Sequence, residues 1–124
     1  MTETNDRSLE ATVNFPELLA RVDHDYEFLR ELFGIFQQQI PSLLQSLQEA
    51  VAAENMKQVE ITGHTLKGML AALAAPHAAA AAALLENLGR NRDKIGLEDA
   101  LARLKYALAV MVPELQRFVS EVRP

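Results

Sequence analysis

The chain has 124 residues, of which 49% are hydrophobic and 23% charged, a size and balance typical of one globular domain with a single core. It contains no cysteine, which excludes disulfides, thiolate metal sites and a cysteine nucleophile. The net charge is −5 and the 12 basic residues are scattered, which argues against binding to nucleic acid. The sequence shows neither a signal-peptide pattern nor an apolar run of the roughly 20 residues that a membrane helix needs, so we expect a cytoplasmic protein without membrane contact.

The amino-terminal part is predicted to be a tail followed by a short helix. Residues 1–12 show no hydrophobic periodicity and are expected to be flexible, so the domain is placed at 13–124. Asn14 is a typical N-cap, and Pro16 is tolerated in a first helical turn. We expect this helix to lie across one end of a helical bundle.

The second predicted helix is long and amphipathic. Asp23 is the expected cap, and the helix should end near residue 53, with a bend rather than a stop at Pro41. Its apolar positions recur at spacings of three and four, which is the pattern of a core-facing stripe. These positions are Leu29, Phe33, Phe36, Ile40, Leu43, Leu47 and Ala50.

Three further helices complete the pattern. Asn55 should cap the third, which Pro76 ends with a tight turn, and the fourth contains the alanine run 78–83 and should close near Gly89. A polar loop follows at 91–96. The last helix has one unbroken apolar stripe, formed by Leu97, Leu101, Leu104, Leu108, Met111, Leu115, Phe118 and Val122. With no alternating strand pattern, the sequence predicts an all-α fold: an antiparallel up-down-up-down four-helix bundle with a short additional N-terminal helix.

His64 is the main candidate functional residue. At about 100° per residue it falls roughly 140° from the core stripe of the third helix, so it should face outward. Its predicted neighbours on that side are small or apolar rather than charged, which favours a partner-docking surface. This surface is expected to comprise Ile61, Gly68, Ala71, Ala72 and Ala75.

The residue types around His64 suit phosphoryl chemistry. An imidazole is ordinarily neutral enough near pH 7 to act as a nitrogen nucleophile. Lys67, one turn further on, offers a cation for phosphate oxygens, and Gly68 leaves the approach open. Because the tight turn at Pro76 places position 64 level with about position 87, Glu86 and Arg90 are predicted to border the site.

Three segments carry a resemblance to a known family. ITGHTLKG, then AALAA and ALLENLGR, within a helical pattern over residues 14–120, resemble histidine-containing phosphotransfer (HPt) domains, which shuttle phosphoryl groups between receiver domains in two-component phosphorelays. The resemblance implies that His64 is phosphorylated through Nε2, that Lys67 contacts the phosphoryl group, and that Gly68 gives the partner access. It also implies a monomeric carrier rather than an enzyme, with no ATP or metal site of its own. Receiver domains of response regulators or hybrid histidine kinases would be the partners and would supply the aspartate and Mg²⁺.

Other interpretations remain open at the level of sequence. The bundle could bind a receiver domain or a histidine kinase as an adaptor without being phosphorylated. A bundle metalloprotein is disfavoured, because such sites need paired Glu-x-x-His motifs facing inward. For single residues, Lys67 could be an ordinary solvated lysine, and Gly68 could serve close helix packing.

Overall fold

The computed structural model describes residues 13–121, which form five α-helices and no strand. The helices are α1 Phe15–Arg21, α2 Tyr26–Ala52, α3 Met56–Ala72, α4 Pro76–Arg90 and α5 Leu97–Glu121. The all-α prediction is therefore confirmed. The predicted tail at 1–12 lies outside the described residues.

Helices α2 to α5 form the predicted four-helix bundle. Each packs against its neighbours in the chain, and α5 also packs against α2, which closes the ring. Short connections make successive helices antiparallel. No helix within residues 13–121 combines the length and apolarity required to cross a membrane.

Helix α1 lies at the end of the bundle where α3 gives way to α4. The backbone N–H of Asn14 donates to the carbonyl of Ala74 at 2.7 Å, and the Arg21 guanidinium donates to the carbonyl of Ala71. Phe15 stacks on Phe118 of α5, with ring centroids 4.2 Å apart. This stacking leaves Phe118 half-buried, and Val119 is the buried residue of that turn instead. Val122, the last predicted stripe position, lies outside the described residues.

Two of the three predicted helix caps are correct. The side chains of Asn14 and Asn55 accept hydrogen bonds from the first turns of α1 and α3. The predicted cap Asp23 is wrong, because Asp25 caps α2 by accepting from the backbone N–H of Phe28 at 3.0 Å. Asp23 has φ 58° and belongs to the turn between the helices, so the chain enters α2 two residues later than its sequence suggested.

Two glycines bring α3 and α4 into backbone contact. A Cβ on Gly63 would lie 2.9 Å from the backbone N of Glu86, and a Cβ on Gly89 would lie 2.5 Å from the backbone N of Glu60. Helix α4 ends at Arg90, which confirms the predicted end near Gly89. Because neither position has room for a side chain, the two helices approach each other closely around the level of His64.

Candidate functional site

His64 lies in the middle of α3 and points away from the core. Its side chain is 68% exposed, in agreement with the outward orientation predicted from helical spacing. One edge of the ring is held, because Nδ1 lies 2.9 Å from Oε2 of Glu86 on α4. The imidazole is thus anchored from the neighbouring helix while most of its surface remains accessible.

Glu86 is the buried centre of the cluster around His64. Only 3% of the residue is exposed, yet its carboxylate meets three nitrogen donors. Lys67 Nζ is 2.7 Å from Oε1, while a terminal nitrogen of Arg90 lies 2.7 Å from Oε2, beside His64 Nδ1. A buried carboxylate is tolerated when it is paired and hydrogen-bonded in this way. The sequence placed Glu86 and Arg90 at the border of the site, and the structure places both in contact beneath His64.

These contacts fix the charge on Glu86. The hydrogen bond from Lys67 lowers the pKa of the Glu86 carboxyl below its ordinary value, and the bond from His64 acts in the same direction, while burial opposes both. Glu86 is therefore a carboxylate at neutral pH. An ionised carboxylate can only accept hydrogen bonds, so Nδ1 of His64 carries the hydrogen and donates it.

The tautomer of His64 follows from that bond. In a neutral imidazole with its hydrogen on Nδ1, Nε2 keeps a free lone pair. None of the residues at 13–121 makes a hydrogen bond to Nε2. The nitrogen that can act as a nucleophile is therefore the one on the edge of the ring opposite Glu86.

Gly68 lies one turn from His64 on the exposed side of α3. A Cβ built there would meet no atom within 4 Å, in contrast with Gly63 and Gly89. Gly68 is thus not required for helix packing, and its missing side chain leaves open space beside the imidazole.

Most of the predicted docking residues share this exposed face, with one exception. Ile61 is 47% exposed, unusual for its type, and Ala71 and Ala72 are also exposed. The placement of Ala75 on this surface is wrong, because it is fully buried. Helix α3 ends at Ala72, so the helical spacing that placed Ala75 does not extend to it; Ala75 lies in the turn before Pro76 and donates its N–H to the carbonyl of Leu70.

Two further charged residues belong to the site and were missed from the sequence. Glu60 accepts from Nε of Arg90 at 3.2 Å, so Arg90 links Glu60 on α3 with Glu86 on α4. Lys57 and Glu60 both line the shallow depression around His64, which has a volume of about 350 Å³. A signal was present, because Glu60 precedes His64 by four residues, as Glu86 precedes Arg90, and such pairs share one helix face.

The family model described as the Hpt domain matches residues 31–122, which include every residue of the cluster around His64. The chain belongs to the Hpt domain family. No curated protein and no solved structure gave a significant match. Hpt domains serve phosphotransfer in two-component systems and are phosphocarrier modules rather than classical enzymes.

The acidic side chains near His64 are already paired with cations. Both oxygens of Glu86 already accept from cationic or N–H donors, and Glu60 pairs with Arg90. Within residues 13–121, no three His, Asp or Glu side chains are grouped so that they could hold a metal. Two cations, Lys67 and Arg90, share the Glu86 carboxylate with His64.

Proposed function

We propose that this Hpt domain relays phosphoryl groups between aspartates of receiver domains by transient phosphorylation of His64 on Nε2. The observation that carries the proposal is the hydrogen bond from Nδ1 to the buried carboxylate of Glu86, which leaves the lone pair of Nε2 free on the exposed edge of the ring. Family membership supports the reaction class.

The transfer step follows from this arrangement. The Nε2 lone pair of His64 attacks the phosphorus of an aspartyl phosphate, a P–N bond forms, and the P–O bond to the aspartate breaks so that the carboxylate leaves. Lys67 is 39% exposed and flexible enough to turn from Oε1 of Glu86 toward phosphoryl oxygens. The receiver domain would bring Mg²⁺, which neutralises phosphoryl charge when bound, and no metal would be held by this chain.

The exposed face beside His64 would be the docking surface. Ile61, Ala71 and Ala72 would contact the receiver domain, and the open space at Gly68 would let its aspartate approach Nε2. We also propose that the protein acts in the cytoplasm as a monomer, because one receiver domain and one His64 complete the reacting pair.

The decisive experiment measures phosphoryl transfer to the whole chain. A panel of receiver domains carrying radiolabelled phosphoryl groups would be incubated with the protein, with the expectation of an acid-labile, base-stable label. His64→Gln should abolish the label. His77→Gln is the matched control, because His77 is also an exposed histidine but lies outside this cluster, and it should retain labelling.

The same experiment separates the relay from an adaptor. An adaptor would bind receiver domains without acquiring label, and His64→Gln would leave its regulatory effect intact. Label that persists in the His64→Gln variant would refute His64 as the phosphoacceptor.

A further inference from the structure

The carboxylate beneath His64 bears on how a phosphoryl group would leave, as well as on how it would arrive. When Nε2 carries a phosphoryl group, the opposite edge of the ring is free of it. On that edge Nδ1 lies 2.9 Å from Oε2 of Glu86. When the P–N bond breaks, its electron pair returns to Nε2. If Nδ1 carries a hydrogen, the leaving group is a neutral imidazole; if it does not, the leaving group is an imidazolate anion, which is far more basic and leaves more slowly.

We propose that Glu86 is a positioning residue for phosphoryl release: it accepts a hydrogen bond from Nδ1–H of phosphorylated His64 and keeps that hydrogen in place, so that neutral imidazole leaves. The proposal rests on the proposed function, since it concerns the phosphorylated form of the same histidine. This role goes beyond the choice of nucleophile, because it determines whether neutral imidazole or the slower imidazolate leaves.

The burial of Glu86 makes this bond persistent. Only 3% of Glu86 is exposed and a terminal nitrogen of Arg90 lies 2.7 Å from Oε2, so the carboxylate stays in place when Lys67 turns toward phosphoryl oxygens. A glutamine of the same shape could either accept from Nδ1–H or donate to a bare Nδ1, and would therefore not select the hydrogen-bearing form. The charge of residue 86, rather than its size, is what the proposal requires.

The other charged groups that face His64 set the expected size of the effect. Lys57, Glu60 and Lys67 lie on α3, and Arg90 lies on α4; no charged group of α2 or α5 lines the depression. The positive charges of Lys67 and Arg90 offset part of the electrostatic effect of Glu86 on Nδ1. The negative charge of Glu60 in turn offsets part of the effect of Arg90. One charge-assisted hydrogen bond then remains, and its loss should lower the pH midpoint for Nδ1 in the phosphorylated protein by about one unit.

The test uses chemical phosphorylation, so that no receiver domain is needed. In a background carrying His24→Asn and His77→Gln, His64 is the only remaining histidine of the three in the chain. The protein is phosphorylated with phosphoramidate, and hydrolysis of the Nε2 phosphoryl group, with water as the acceptor, is followed across pH by ³¹P NMR. Glu86→Gln is compared with Glu54→Gln, which removes a carboxylate from Lys94 and none from the cluster around His64.

We expect Glu86→Gln to move the midpoint of the rate profile down by about one unit, and to slow hydrolysis about tenfold at a pH above both midpoints. Glu54→Gln should change the midpoint by less than about a quarter of a unit. Equal midpoints in Glu86→Gln and the parent protein, or an equal shift in Glu54→Gln, would overturn the proposal.

A second measurement does not depend on the folding of any Glu86 variant. The ¹⁵N shift of Nδ1 in the phosphorylated parent protein should show the hydrogen bound in most molecules at about pH 7, where an ordinary imidazole has lost it in most molecules. A bare Nδ1 at that pH would overturn the proposal directly. Because both measurements use a chemical donor and water, failure of receiver domains to label His64 would contradict only the proposed function.

Discussion

Replacing Gly63 by alanine should separate α3 from α4 at the level of the His64–Glu86 hydrogen bond. The new Cβ would lie 2.9 Å from the backbone N of Glu86, 3.1 Å from its Cα and 3.2 Å from the carbonyl oxygen of Ala82. All three atoms are backbone, so no side-chain rotation relieves the contact and the helices must move apart by a few tenths of an ångström.

The energetic cost can be worked out against a matched control in the same helix. Overpacking costs about 1–3 kcal/mol, and exchanging glycine for alanine inside a helix returns about 1 kcal/mol, so Gly63→Ala should lower the free energy of unfolding by about 0–2 kcal/mol. Gly68→Ala meets nothing within 4 Å and should raise it by up to about 1 kcal/mol. The two variants should therefore differ by about 1–3 kcal/mol.

Urea unfolding followed by circular dichroism measures this difference, provided that the slope with denaturant is the same in both variants. Gly63→Ala should also slow phosphoryl transfer, because displacement of α4 lengthens the bond that holds the His64 tautomer. Equal stabilities of the two alanine variants would refute the argument that Gly63 sets the distance between the helices.

Two further outcomes are expected. Gly68→Leu should not lower the free energy of unfolding. It should slow phosphoryl transfer from a receiver domain at least about tenfold, because the new side chain obstructs the approach to His64. Unchanged transfer would contradict the role of Gly68 in giving the partner access. Glu86→Gln should destabilise the fold at neutral pH but lose this effect in acid. The pKa of Glu86 is lowered on folding, so its stabilisation is complete above the ordinary value of 4.5 and disappears as pH falls through the folded value. A urea-midpoint difference that persists in acid would refute this.

Helical periodicity was sufficient to predict the architecture. Apolar residues at spacings of three and four identify each long helix and its buried face, and this depends only on the geometry of an α-helix. Capping was less predictable. Asp23 and Asp25 are chemically equivalent caps, and the choice between them depends on a turn in which Asp23 adopts a positive φ.

The same limit applies to the site. The spacing in α3 was enough to turn His64 outward and to place Gly68 beside it, since both statements concern one helix. It failed for Ala75, because α3 ends three residues earlier and a helical angle has no meaning beyond that point. It also did not identify Glu60, whose partner Arg90 belongs to another helix.

The sequence by itself determined the number of helices, their buried faces and the outward position of His64, because these depend on contacts within a few residues. Only the tertiary structure decided that Glu86 is buried and that its carboxylate holds Nδ1. That outcome depends on how closely α3 and α4 approach, and the approach is set by Gly63 and Gly89 on two different helices. The sequence placed Glu86 only at the border of the site. It becomes the anchor of the site because the backbone of the neighbouring helix is near enough to bury it.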